Sequence, residues 1–160
     1  KDAPHLYVEK FLGYADIRPG ETVFDMGCGT GALAVPLGEA GHKVVAADFS
    51  QGMLDQMQAR LNEAGVRTVF PKLMSWEDDW PAFGVREGMT DVAVASRSIA
   101  TADLRDALLR LTEVARRGCA SPWRPDPPPA STSASWPLWG CPPFSGATTF
   151  TPSTSWPPKA

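Results

Sequence analysis

The residues best equipped for chemistry lie in one short stretch, Thr22 to Ala32, T-V-F-D-M-G-C-G-T-G-A. An apolar lead-in ends at Asp25, and Gly27, Gly29 and Gly31 then alternate with Cys28 and Thr30. Glycines at this spacing permit positive φ and let a ligand lie close to the backbone. The helix that follows offers N–H groups without intrahelical partners. Two ligand classes use such a loop. A dinucleotide rests its pyrophosphate on the helix end, and Gly27 to Ala32 does fit the G-x-G-x-x-G/A pattern of those sites. A ligand with an amino-acid moiety brings an ammonium group instead. Asp25 separates the two, because a carboxylate repels a diphosphate and attracts an ammonium ion, directly or through water.

A second acid, Asp48, closes the apolar run H-K-V-V-A-A-D. A carboxylate there has two acceptor oxygens for the two hydroxyls of a ribose, a group common to both ligand classes. Other reactive side chains have plainer readings. Glu77, Asp78 and Asp79 form an acidic solvated loop rather than a metal cluster. His5 and His42 read as surface residues. Cys28 fits for its size rather than its reactivity, and Met53, Met57 and Leu61 form a helical core stripe. Trp76 and Trp80 suit core or lid packing as well as ligand contact.

These residues need a scaffold. The pattern predicts a helix over 4–15, a turn at Arg18-Pro19-Gly20-Glu21 and a buried strand over 22–26. A helix follows over about 30–40, with Pro36 an irregularity and Gly41 a stop. A strand over 42–48 leads to a helix capped by Ser50 and ended by Gly65. Strands over 66–70 and 90–96 flank a loop at 75–84 with one helical turn. A last helix covers 101–117, with Leu104, Ala107, Leu108, Leu111 and Val114 inward. Strand and helix alternate throughout, which predicts an α/β fold: a doubly wound, mainly parallel sheet with helices on both faces. Ligands of such sheets bind at the carboxyl ends of the strands. The loops at 25–31, 48–50, 75–79 and 96–98 all fall there.

V-F-D-M-G-C-G-T-G, then V-V-A-A-D-F-S-Q-G-M-L, a polar-aromatic loop and D-V-A-V-A-S-R-S together resemble the class I S-adenosylmethionine-dependent methyltransferases, a Rossmann-like family. The resemblance spans about residues 17–118. It implies that Asp25 and the loop Gly27, Cys28, Gly29, Thr30 and Gly31 hold the methionine part of S-adenosylmethionine. It places Asp48 on the ribose, Phe49 and Ser50 beside it, and Met53 near the adenine. Ser75, Trp76 and Glu77 occupy the loop that meets the adenine edge, where the family often has an acid and a small residue instead. Ser96, Arg97 and Ser98 border the transferable methyl, with Arg97 and Ser98 turned to the acceptor. Ser96-Arg97-Ser98 is not the Asn/Asp-Pro-Pro-aromatic motif of some amino- and base-modifying members, so the acceptor expected is a small molecule. Methyl transfer from a sulfonium needs alignment above all, and no catalytic base is legible. The rival readings are an NAD(P)-dependent oxidoreductase fragment and a binding module without turnover.

The bulk composition agrees with this class. The chain has 160 residues and a net charge of −3, with no basic footprint for nucleic acid or membrane. No apolar stretch approaches the roughly 20 residues that span a bilayer. The three cysteines are odd in number and lack a C-x-x-C pair, which favours neither a disulfide framework nor a zinc site and suits a reducing cytoplasm. The opening residues read as mid-protein. Residues 1–118 form the expected cofactor-binding domain, and 119–160 differ sharply. This tail of 42 residues holds 11 of the 16 prolines and four of the six tryptophans, but one Leu and no Ile, Val or Met. It reads as a disordered Pro/Ser/Thr-rich segment or as a frameshift product, Ser-Trp-Pro recurring at 135–137 and 155–157. On that reading the sheet is truncated and left with an open edge.

Overall fold

Val23, Phe24, Asp25 and Met26 are all buried, so the first strand is covered on both faces, as a central strand of a parallel sheet must be. The computed structural model describes residues 3–120 except 97, 100 and 102. It contains a single sheet of five parallel strands: β1 (Val23–Met26), β2 (Val44–Asp48), β3 (Val69–Leu73), β4 (Thr90–Val94) and β5 (Ala115–Ala120), in the order β3-β2-β1-β4-β5. The chain winds outward from β1 to β3, then crosses to β4 and β5. The switch point therefore lies between β1 and β4, where Asp25 pairs with Val94 on one side and Ala46 on the other.

Four helices and a short 3₁₀ turn cover the sheet: α1 (Ala3–Ala15), α2 (Ala34–Glu39), α3 (Gln51–Ala64), the turn Trp80–Phe83, and α4 (Leu104–Val114). One face packs Phe11 of α1, Val35 and Leu37 of α2, and Leu54, Met57 and Leu61 of α3 against Val23, Val44, Ala46 and Val94. The other packs Ala107, Leu111 and Val114 of α4 with Trp76 and Trp80 against Phe24, Met26 and Ala93. Alternate strand residues thus feed opposite cores.

Several boundaries differ from expectation. Helix α2 starts only at Ala34, because Gly31 sits at φ +82 and interrupts the helix before it. Pro36 then falls in the first turn, where a missing N–H costs nothing, so it is no irregularity. Strand β3 begins three residues late, because Val66 donates its N–H to Leu61 O and is spent closing α3 after Gly65. Of the expected inward face Met53, Leu54, Met57 and Leu61, Met53 turns out and is 42% exposed, whereas the other three are buried. His42 is buried, with Nδ1 2.9 Å from Glu21 O, and is not a surface residue.

The largest correction is at the end of the last helix. It stops at Val114, and Ala115–Ala120 forms β5 beside β4 with no loop between. Arg117 anchors this strand, its Nε and Nη2 donating to the two carboxylate oxygens of Glu21 at 2.8 Å. That contact holds the Glu21 carboxyl below its ordinary range. Cys119 and Ala120 therefore belong to the sheet and not to the tail. The remainder of the tail, 121–160, lies outside the described residues. No helix among the described residues is long and apolar enough to cross a membrane.

Candidate functional site

The four loops expected to converge leave neighbouring strands at the same edge of the sheet. Their hydrogen bonds show how they are held. After β1 the chain turns at once: Gly27 N–H and Cys28 N–H both donate to Ala47 O of β2, at 2.7 and 3.0 Å. Gly29 N–H donates to Asp48 Oδ2 at 2.8 Å, and Gly31 N–H to Cys28 O at 2.9 Å. These four N–H groups are spent within the protein.

The three alternating glycines have different reasons to be glycine. All have positive φ. A Cβ on Gly27 would lie 2.1 Å from Ser98 Cβ, and one on Gly31 would lie 2.6 Å from Met57 Cγ. Those two positions make room for the protein's own packing. A Cβ on Gly29 would meet nothing within 4 Å. Only at Gly29 does the loop's open side face space that a ligand can take.

Asp25 is 1% exposed, and its Oδ2 is buried without a hydrogen-bond partner among the described residues. Burial, with repulsion from Asp48 added, pushes its carboxyl up to about 7. An uncompensated buried carboxylate is costly, and a cation at Oδ2 would relieve it. Asp48 is also buried, but both of its oxygens have partners: Oδ2 takes Gly29 N–H and Oδ1 takes Ser50 N–H at 2.9 Å. A carboxylate has about four lone-pair sites, so each oxygen keeps one for a ligand hydroxyl. Asp48 is therefore a structural tie between two loops as well as a candidate ribose acceptor, a role its position at a strand end did not reveal.

Beyond β2, Phe49 is 75% exposed and Met53 stands out of α3 near it in sequence. Ser50 is the cap residue of α3 but makes no side-chain cap bond. Thr30 is held by Arg60 of α3, whose Nη1 donates to Thr30 O at 2.9 Å. Cys28 is buried and free, and burial pushes its thiol well up, leaving it inert.

In the loop after β3, Ser75 N–H donates to Asp78 Oδ2 at 2.7 Å and Glu77 is exposed. Trp76 turns into the core, its ring tilted 45° to that of Trp80 with centroids 5.5 Å apart, and its indole N–H reaches Ser98 O at 2.8 Å. Arg110 of α4 fixes this loop from below by donating to the carbonyls of Trp76 and Asp78. Its signal in the sequence was only an Asp106–Arg110 pair at helical spacing. Ser96 and Ser98 are half-buried at the end of β4, and Arg97 lies outside the described residues. Among the described residues no group of three His, Cys, Asp or Glu could hold a metal ion.

A doubly wound parallel sheet with an acid-and-glycine loop at its switch point defines a Rossmann-like protein of the methyltransferase class. The chain belongs to the family described as "Methyltransferase domain", which matches residues 23–118. It is 34% identical over 114 residues to a protein of Haemophilus influenzae, covering 71% of this chain and 41% of that one. It is 37% identical over 94 residues to nocamycin O-methyltransferase of Saccharothrix syringae, covering 57% and 32%. The chain thus spans less than half the length of these relatives. Among solved structures, it is similar to magnesium protoporphyrin IX methyltransferase of Synechocystis with bound S-adenosylmethionine. The TM-score is 0.57 at 21% identity, over 78% of this chain and 59% of that one. Geranyl diphosphate C-methyltransferase of Streptomyces coelicolor gives a TM-score of 0.61 at 18% identity, over 73% and 43%.

Proposed function

We propose that this domain binds S-adenosylmethionine and transfers its methyl group to a small-molecule acceptor. The observation that carries the reading is the buried, unpartnered Oδ2 of Asp25 at the switch point. It calls for a cation, and the α-ammonium group of the cofactor's methionine part is one. The residues present fit the remaining parts of the molecule. Gly29 leaves room beside the backbone, Asp48 keeps acceptor capacity for a ribose, and Phe49 and Met53 offer apolar surface for a purine. When bound, the cofactor supplies a methyl group already activated on a sulfonium sulfur.

The protein's part is to bind and align. Asp25 neutralises the ammonium group and thereby fixes the methionine end. Asp48 fixes the ribose end and, through Gly29, the distance between the two. Ser75 and Glu77 stand at the adenine side, and Ser96 and Ser98 at the acceptor side. Alignment of this kind supplies much of a transfer barrier without a base. The named relatives that act on nocamycin and geranyl diphosphate support a small organic acceptor. Isothermal titration with S-adenosylmethionine, S-adenosylhomocysteine and NADH tests the cofactor: the first two bind and NADH does not. Release of S-adenosylhomocysteine in the presence of acceptor candidates separates an enzyme from a module that binds without turnover.

A further inference from the structure

We infer that Ser98 is a positioning residue that straps the methionine end of the cofactor loop to the acceptor side of the crevice. The inference rests on the S-adenosyl reading above. It starts from a gap in the sheet. Met26, the last residue of β1, pairs with Ala47 of β2, but the ladder to β4 ends one step earlier, at Asp25 and Val94. Here β4 departs from β1 and the crevice opens. Met26 O would face that opening without a strand partner, and a buried carbonyl needs one. Ser98 replaces the missing strand: its Oγ donates to Met26 O at 2.6 Å.

Two further contacts make this a strap rather than an incidental bond. Ser98 O accepts the indole N–H of Trp76 at 2.8 Å, which joins it to the loop after β3. The Ser98 side chain also fills the space above Gly27, where a Cβ would lie only 2.1 Å from Ser98 Cβ. Side chain, main chain and packing thus bind one residue to the ends of three strands. What it grips is the single turn between Asp25, which meets the ammonium group, and Gly29, which leaves the ligand room. The ribose end is held separately, through Asp48 and the Ser50 N–H.

This separation makes the test specific. Two ligands share adenine and ribose but differ at the methionine end: S-adenosylhomocysteine has the amino acid, and 5′-methylthioadenosine lacks it. Titration of wild type, Ser98→Ala and Trp76→Phe with both ligands reads the difference, with a thermal melt of each variant as the check on folding. Ser98→Ala should weaken S-adenosylhomocysteine about tenfold, the scale of one hydrogen bond, and leave 5′-methylthioadenosine within about twofold. Trp76→Phe, which keeps the packing and removes the N–H, should show the same selectivity with a smaller loss. Equal weakening of both ligands, or no weakening of either, overturns the strap. Failure of the wild type to bind S-adenosylhomocysteine overturns the cofactor reading itself, so the two failures are distinct.

Discussion

Asp48 Oδ2 accepts the N–H of Gly29 at 2.8 Å, so the acid that ends β2 holds the tip of the loop that leaves β1. Its other oxygen takes Ser50 N–H at the start of α3. One buried carboxylate therefore sets the spacing between two of the loops that form the crevice.

Replacing Asp48 tests that tie. Asp48→Ala leaves two backbone donors without their charged acceptor, each bond to a charged group contributing about 1.5–3 kcal/mol. A loss of about 3 kcal/mol in denaturant unfolding is expected, together with weaker S-adenosylhomocysteine binding. Unchanged stability would mean that the two N–H groups find other partners and that Asp48 is only a ligand contact.

The glycines divide in the same way between folding and binding. Gly27→Ala drives a methyl group into Ser98 and should destabilise the fold by more than about 2 kcal/mol, from overpacking added to a strained φ. Gly29→Ala meets no atom within 4 Å and should cost about 1–2 kcal/mol, from backbone conformation alone. On the proposed binding mode its methyl group points into the ligand's space, so its affinity for S-adenosylhomocysteine should fall further than its melting temperature suggests. Equal affinity losses in the two variants, once corrected for folding, would remove the distinction between the two glycines.

The buried Asp25 makes both stability and affinity depend on pH. Folding raises its carboxyl from 3.8 to about 7, so between those values the folded state binds the extra proton. Stability contributed by this group is full below 3.8, declines as pH rises and is gone above about 7. Asp25→Asn should accordingly stabilise the ligand-free protein at pH 8, by on the order of 2–4 kcal/mol. Binding has the opposite sign. An ammonium ligand needs the carboxylate, so affinity for S-adenosylhomocysteine should fall by up to tenfold per pH unit below about 7, its own charges being constant there. Titrations from pH 5 to 8 should show this slope in the wild type and lose it in Asp25→Asn.

Much of this arrangement is legible in the sequence. The alternation of V-F-D-M, V-V-A-A-D and D-V-A-V with helical stretches gave the parallel sheet, because buried strands write themselves as short apolar runs. The acid and glycines gave the place of the site, because loops at strand ends need those residues for definite reasons. Three kinds of feature stayed hidden. Strand β5 reads A-R-R-G-C-A, with too few apolar residues to announce a strand; pairing with β4 and the Arg117–Glu21 bond make it one. Spacing in the chain does not reveal which contact a glycine makes room for, and Gly27 and Gly29 look alike until Ser98 is seen above one of them. Long-range hydrogen bonds such as Trp76 to Ser98 and Asp48 to Gly29 join loops far apart in sequence, and no local pattern carries them.

The proposed cofactor binding depends on the carboxylate of Asp25 meeting a cation. Titration of wild type and Asp25→Asn with S-adenosylhomocysteine and with its analogue lacking the α-amino group tests this most directly. The wild type should prefer the aminated ligand by at least about tenfold, as expected for a buried charge pair, and the variant should bind the two about equally. An equal preference for the amino group in both proteins would show that the ammonium group lies elsewhere and that Asp25 has been misassigned.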